Sequence, residues 1–546
     1  MDIILYNGKV ITMDEDKPYA SGVFIKGNKI YKVGNDEEVL KYKKENTKLI
    51  DLQGRTLLPG FNDSHMHLIN FAYTGSMIRL AGLTSVDEII EKSKKSIKQD
   101  TVNVGWIKGR GWNQNNFDEP RMLNRYDLDK ISVDRPICFI RACGHVLVIN
   151  SYALKMLNIT GDTFQVAGGH FDLDENNEPT GVFRENAMNI VYDNMPSPTI
   201  AEIKDMITSA CKLALSEGIT SIQTDDLDNF SDNDYDKIIK AYEELRDDGE
   251  LPVRIYEQCL LGDIETFQGF LNKGYRTGQG DNFFKIGPLK ILADGSLGAR
   301  TAYLSEPYED DSSTCGIGKL TQDQLDQLVL CAHKNNMQIA IHCIGDKIMD
   351  MAFSSIKKAI NKYPRKDHRH GIVHSQITTK QLLNEFKEID AIGYIQPIFL
   401  DGDISIVEKR IGKERAKYSY NFKTLIDMGV HTPYGSDCPV EPFNVLHGIY
   451  CAVTRKTLEG LPVEGWLPEQ KVTTLQAISS FTKEGAYASF EEDIKGTIKE
   501  GMLADLVVLD NDIFEMECHK IKDMKVDYTI VDGVVVYDRM KQQMVL

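Results

Sequence analysis

Five short segments of this chain each carry an apolar run into a residue able to meet a cation, and they recur in a fixed order. The first is Leu57-Leu58-Pro59-Gly60-Phe61-Asn62-Asp63-Ser64-His65-Met66-His67. The second is Phe284–Asp294, which contains Lys290. The third is Gln338-Ile339-Ala340-Ile341-His342 and the fourth His370-Gly371-Ile372-Val373-His374. The fifth is Val430-His431-Thr432-Pro433-Tyr434-Gly435-Ser436-Asp437. Side chains two apart share one face of a strand, so His65 and His67 can reach one ion from a strand's end. Imidazole is a good ligand for zinc, iron, nickel and manganese-class ions. Singly, each of these residues has an ordinary structural reading: core or surface histidines, and an N-cap for Asp437. Jointly, they occupy equivalent places in successive strand–helix units. That predicts strand ends converging on one metal centre, which is what the active face of a parallel barrel provides.

Strands must alternate with helices to set such ends side by side. Candidate barrel strands are Leu57–His67, Ile219–Thr224, Val253–Gln258, Ile286–Asp294, Gln338–Cys343, His370–Gln376, Ile392–Gln396 and Val430–Asp437. Eight strands suit a (β/α)8 TIM barrel of the α/β class. The gap between the first two is too long for one crossover helix, so an insertion is expected at about 76–200. It holds one strand candidate, Pro136–Ala142, and could act as a lid or specificity wall. Both chain ends read as hairpins, with Asn7-Gly8 and Asp532-Gly533 turns between β-rich runs. Neither end has the apolar surface for its own core. The expectation is one small β-sandwich split across the sequence, residues 1–56 plus 490–546, around a catalytic barrel at 57–489.

The 546 residues carry a net charge of −18, and 42% are hydrophobic. So acidic a chain has no general attraction for nucleic acid or anionic membranes. No apolar run approaches the ~18 residues of a membrane span, and the N-terminus does not read as a signal peptide. The ten cysteines form no C-x-x-C pair, which fits free buried thiols and a cytoplasmic protein.

Pro59-Gly60-Phe61-Asn62-Asp63-Ser64-His65-Met66-His67, with His342, His374 and Gly435-Ser436-Asp437 downstream, resembles the metal-dependent amidohydrolase superfamily. Further segments resemble its N-substituted formamide deformylase-like branch. These are Gly109-Arg110-Gly111-Trp112-Asn113-Gln114, Gly181-Val182-Phe183-Arg184-Glu185, Ala293-Asp294-Gly295-Ser296-Leu297-Gly298-Ala299-Arg300-Thr301, Ile341-His342-Cys343-Ile344-Gly345-Asp346 and Ser436-Asp437-Cys438-Pro439-Val440-Glu441-Pro442. The likeness spans nearly the whole chain.

The resemblance implies that His65, His67 and Asp437 hold one metal, and that His342 and His374 hold a second. It also implies that Lys290, carboxylated by CO2, bridges them. A bare ammonium cannot ligate a cation, whereas a carbamate oxygen can; the other reading pairs a plain Lys290 with Asp294 or Asp437. Zinc leads the candidate metals, with one or two ions; iron, manganese, cobalt and nickel accept the same ligands. A metal-activated hydroxide would attack an amide carbonyl, and Asp437 would relay the water's proton to the departing amine. Trp112, His145, Glu185, Asp294 and Gln376 are candidate contacts to a small-molecule substrate. Asp225-Asp226 reads as a loop cap. The function so expected is hydrolysis of a non-peptide C–N bond in an amide or N-substituted formamide, and the resemblance implies a homodimer. The alternatives are a single-metal amidine deaminase and a metal-binding homologue without activity.

Overall fold

The computed structural model describes residues 2–75, 77–99, 105–230, 232–541 and 543–544. Its contacts divide the chain into two units. One comprises residues 1–68, 203–228 and 234–546, and the other 69–202 and 229–233.

The first unit contains a seven-stranded sheet whose paired strands are all parallel. In chain order these are β1 (Phe61–Met66), β2 (Ile219–Thr224), β3 (Arg254–Leu260), β4 (Phe284–Leu292), β5 (Ile339–Cys343), β6 (Gly371–His374) and β7 (Ile392–Tyr394). Each pairs with the next in sequence order. β1, β2, β6 and β7 are buried along their whole length, the pattern of strands covered on both faces. The expected eighth strand, Val430–Asp437, is not a regular strand. Pro433 has no N–H to give a ladder, and the segment makes only one β-bridge, Ile395 to Tyr434. It still closes the ring. On one side Gly393 and Ile395 donate to the carbonyls of His431 and Pro433, and Gly435 donates back to Ile395. On the other, Ser64 donates to Tyr434 and Asp437 donates to His65.

The single strand expected at Leu57–His67 is two. Thr56–Pro59 pairs antiparallel with Leu506–Leu509 in a second sheet, and β1 starts after Gly60. Gly60 is required at this crossing, because a Cβ there would lie 2.2 Å from Thr220 Oγ1. The second sheet combines Lys9–Ile11 and Thr56–Pro59 from the N-terminal end with Leu506–Leu509, Val526–Val531 and Val534–Asp538 from the C-terminal end. A four-stranded sheet holds Ile3–Tyr6, Gly22–Lys26, Lys29–Gly34 and Lys48–Asp51. Leu5, Val23, Val10, Leu57, Leu506 and Ile530 share one buried core. Residues from both chain ends thus bury one core jointly.

The second unit is richer than its one strand candidate implied. Six strands form a mixed sheet, in the order Gly169–Leu173, Pro179–Glu185, Val146–Ile149, Ile137–Arg141, Ile107–Trp112, Ile78–Arg79. No helix among the described residues is long and apolar enough to cross a membrane.

Candidate metal centre

His65 lies at the end of β1, and His67 directly after it. Asp437 arrives on the closing segment, and its left-handed backbone (φ 60°) is a conformation that aspartate tolerates. Asp63, fully buried, takes the His65 and Ser436 backbone N–H groups on Oδ1 at 3.2 and 3.0 Å. It latches β1 to the closing segment. Burial pushes its carboxyl up to about 7, although the Ser436 and His65 N–H groups oppose this.

The three residues meet at one point. Asp437 Oδ1 is 3.3 Å from His65 Nε2 and 2.9 Å from His67 Nε2. One ligand atom from each lies within 4.8 Å of the others. The far side of each ring shows which nitrogen carries the hydrogen. Gln258 Nε2 donates to the Ser64 carbonyl at 3.0 Å, so its Oε1 faces His65 Nδ1 at 2.8 Å and can only accept. His65 is therefore protonated on Nδ1 and presents a lone pair on Nε2. His67 Nδ1 is held by Asp225 Oδ1, which leaves Nε2 facing Asp437. A carboxylate oxygen opposite two imidazole lone pairs is an arrangement that a cation between them would satisfy. The protonation preferences register the same arrangement. Burial acts to lower His67, yet Asp225 and Asp437 raise it well above the usual histidine value. Burial acts to raise Asp437, yet protons on His65 and His67, standing where the cation would, hold it well below the carboxylate range. These donors fit a divalent metal.

His342 and His374 form a second pair. His374 Nε2 and His342 Nδ1 lie 2.9 Å apart. The outer nitrogens are both occupied, His374 Nδ1 by Gln396 Oε1 at 2.9 Å and His342 Nε2 by the Gly295 carbonyl at 3.2 Å. The Gly295 carbonyl can only accept, so His342 carries its hydrogen on Nε2 and turns the Nδ1 lone pair toward His374, where a cation would fit. The His65 and His374 ring centroids are 5.5 Å apart, so the two pairs are neighbours. His374 has φ 76° and Ser375 φ 49°. Two successive non-glycine residues in the left-handed region mark strain held at a functional site.

Lys290, on β4, is 99% buried. Its Nζ lies 2.7 Å from Asp225 Oδ2 and 3.3 Å from His65 Nε2. Neither Asp294 nor Asp437, the partners considered from sequence, is its ion-pair partner here. Asp225 is no loop cap. It is fully buried at the end of β2 and joins His67 to Lys290. Burial raises its carboxyl, but His67 and Lys290 outweigh this and depress it. Asp63 and Gln258 were not singled out as site residues in the sequence, and Asp225 was read there only as a loop cap. The one signal was their place, within or just past strands that end at the site.

The candidate substrate contacts fare differently. Trp112 is a correction: it is fully buried in the core of the second unit, with Nε1 donating to the Phe139 carbonyl at 3.2 Å. No face of the ring is left to line a pocket. His145 and Glu185 pair with each other at 3.0 Å on the exposed surface of that unit. Asp294 is buried as a backbone clamp, accepting from Tyr303, Ile344 and Gly345 at 2.9–3.1 Å, with His342 Nε2 3.3 Å away. Gln376 is buried beside Asp403, two residues past His374.

A parallel barrel with histidine and aspartate donors gathered at its strand ends defines a metal-dependent hydrolase. Residues 48–537 match the Amidohydrolase family, and the chain belongs to it. It is an enzyme of C–N bonds other than peptide bonds. The chain is 32% identical to YtcJ of Bacillus subtilis (strain 168), itself named only provisionally as an amidohydrolase, over 99% of this chain and 100% of that one. It is 25% identical to the N-substituted formamide deformylase of Arthrobacter pascens, over 98% of each. The crystal structure of an uncharacterized metal-dependent hydrolase from Pyrococcus furiosus superposes with a TM-score of 0.78 at 28% identity, covering 94% of this chain and 99% of that one.

Proposed function

We propose that this chain hydrolyses the C–N bond of a small linear amide or N-substituted formamide. The observation that carries the reading is the convergence of two imidazole lone pairs on the Asp437 carboxylate. Likeness to the Arthrobacter deformylase supports the substrate class. His65, His67 and Asp437 would hold one divalent ion, zinc first among candidates. His342 and His374 would hold a second, with Lys290 as a carbamate between them. When bound there, such an ion lowers the pKa of water from 15.7 to roughly 7 and polarises a carbonyl oxygen. Asp437 takes the proton that the attacking water loses and delivers it to the amine nitrogen as the C–N bond breaks. Asp225 and Gln258 hold the two rings in the tautomers this requires.

Metal analysis followed by a screen of amides, formamides and amidines tests the proposal. One or two equivalents of metal with turnover of amides supports it. Full loading with no turnover across the panel would leave a metal-binding protein without this activity.

One observation favours a second reading. Asp225 already gives the Lys290 ammonium a buried partner at 2.7 Å, and a carbamate there would set two anions together out of water. An unmodified lysine and one ion per chain suit an amidine deaminase. Intact mass before and after decarboxylation in acid, with the metal count, separates the two.

A further inference from the structure

We infer that Asp403, Glu441 and Gln376 form a recognition pocket for a primary ammonium group, so that favoured substrates are amides with a positive charge remote from the scissile bond. This rests on the amide hydrolysis proposed above.

All three residues follow elements that end at the metal centre. Gln376 is two residues past His374, and Glu441 is four past Asp437. Asp403 ends the short helix Leu400–Asp403 that follows β7. Asp403 Oδ2 accepts the Tyr420 hydroxyl at 2.5 Å and Gln376 Nε2 at 3.4 Å. The Glu441 carboxylate packs against Gly402, where a Cβ would be 3.6 Å from Oε1. Among the described residues, neither Asp403 nor Glu441 is in an ion pair with a lysine or arginine, and the charged groups that bear on Glu441 are Asp401, Asp403 and Asp437. Burial raises both carboxyls, that of Glu441 to about 7, where Asp401, Asp403 and Asp437 add to the effect.

Acidic side chains alone would not name a ligand. Gln376 adds an independent observation: it is 97% buried, its amide is turned to Asp403, and its Oε1 has no hydrogen-bond partner. An orphaned acceptor beside uncompensated carboxylates calls for a cation that is also a donor. A primary ammonium has three donors, a positive charge and no acceptor. A divalent metal suits the site less well, since Asp403 Oδ2 already takes two donors.

The test compares N-formyl-1,4-diaminobutane with the neutral N-formylpentylamine, and 5-aminopentananilide with hexananilide, on the metal-loaded protein. Binding of 1,4-diaminobutane is measured by calorimetry. In one pair the charged amide is expected to have the higher kcat/KM by about tenfold or more, the scale of a charge-assisted hydrogen bond. That ratio, and diamine binding, should collapse in Glu441→Gln and Asp403→Asn with metal content unchanged. Glu441→Gln keeps the test open if Asp403→Asn fails to fold. A ratio near one in both wild-type pairs, or a ratio that neither variant moves, overturns the pocket. Loss of metal from the variants also overturns it, by assigning the carboxylates to a cation site. Diamine binding that depends on Glu441 without turnover of any amide would sink the hydrolase reading and leave the pocket standing.

Discussion

Asp437 is both a prospective ligand and the one carboxylate placed to move a proton, and these roles separate on substitution. Asp437→Asn keeps an oxygen for the metal but loses the base. Turnover should fall by about 10²–10⁴-fold, the usual worth of a positioned acid–base group, while metal content stays near that of the wild type; parallel kinetics and metal analysis check this. Gln258 acts through His65. Gln258→Leu removes the acceptor that fixes the His65 tautomer. Metal affinity should drop about 10- to 100-fold, read by competition with a chelator. The histidines and Asp437 were legible in sequence because their residue types are restricted and their spacing repeats. Asp225 and Gln258 were not, since a carboxylate or amide at a strand's end has many uses until its partner is known. Trp112 failed for the opposite reason: an indole fills a core as readily as it lines a pocket.

At the scale of elements, the site depends on how the barrel closes. The closing segment passes so near β1 that a Cβ at Gly435 would lie 2.6 Å from the His65 nitrogen and 2.8 Å from Asp63 Oδ1. The His65 backbone cannot move aside without moving a ligand. Gly435→Ala should therefore cost about 1–3 kcal/mol by overpacking and weaken metal retention as well. Urea denaturation and metal analysis measure the two effects. Gly269→Ala, in the helix Ile264–Asn272 with no atom within 4 Å of the new Cβ, is the control. It should stabilise by about 0.5–1 kcal/mol. Strand positions were readable from apolar runs bounded by turns. The break at Gly60 and the irregular eighth strand were not, because an apolar run does not state which sheet will receive it.

Across the whole molecule, buried ion pairs join distant parts of the sequence. Arg254 of β3 meets Asp505 at 2.6 Å, tying the barrel to the sandwich. Glu491, after the barrel, meets Lys285 of β4 at 2.7 Å and Lys495 at 2.6 Å. Burial works against the Glu491 charge, but the two lysines outweigh it and hold the carboxyl at about 2. The folded value lies below the unfolded value of about 4.3. The stabilisation is therefore present above that pH and is lost as pH falls toward 2. Glu491→Gln should flatten this part of the acid limb. It should also cost about 3–5 kcal/mol at neutral pH, because two lysines lose their buried partner. Chemical denaturation at several pH values tests both.

Residue types at the strand ends, their order, and two β-rich ends around a parallel barrel could all be read along the chain. Apolar periodicity and turn residues are local, and a motif with restricted side chains reads at any distance. Folding in three dimensions brought Lys290 to Asp225, let Gln258 set a tautomer, and left Gln376 with an unsatisfied oxygen. Such facts concern which polar atoms share one small volume. That depends on register and closure summed over the whole ring of strands.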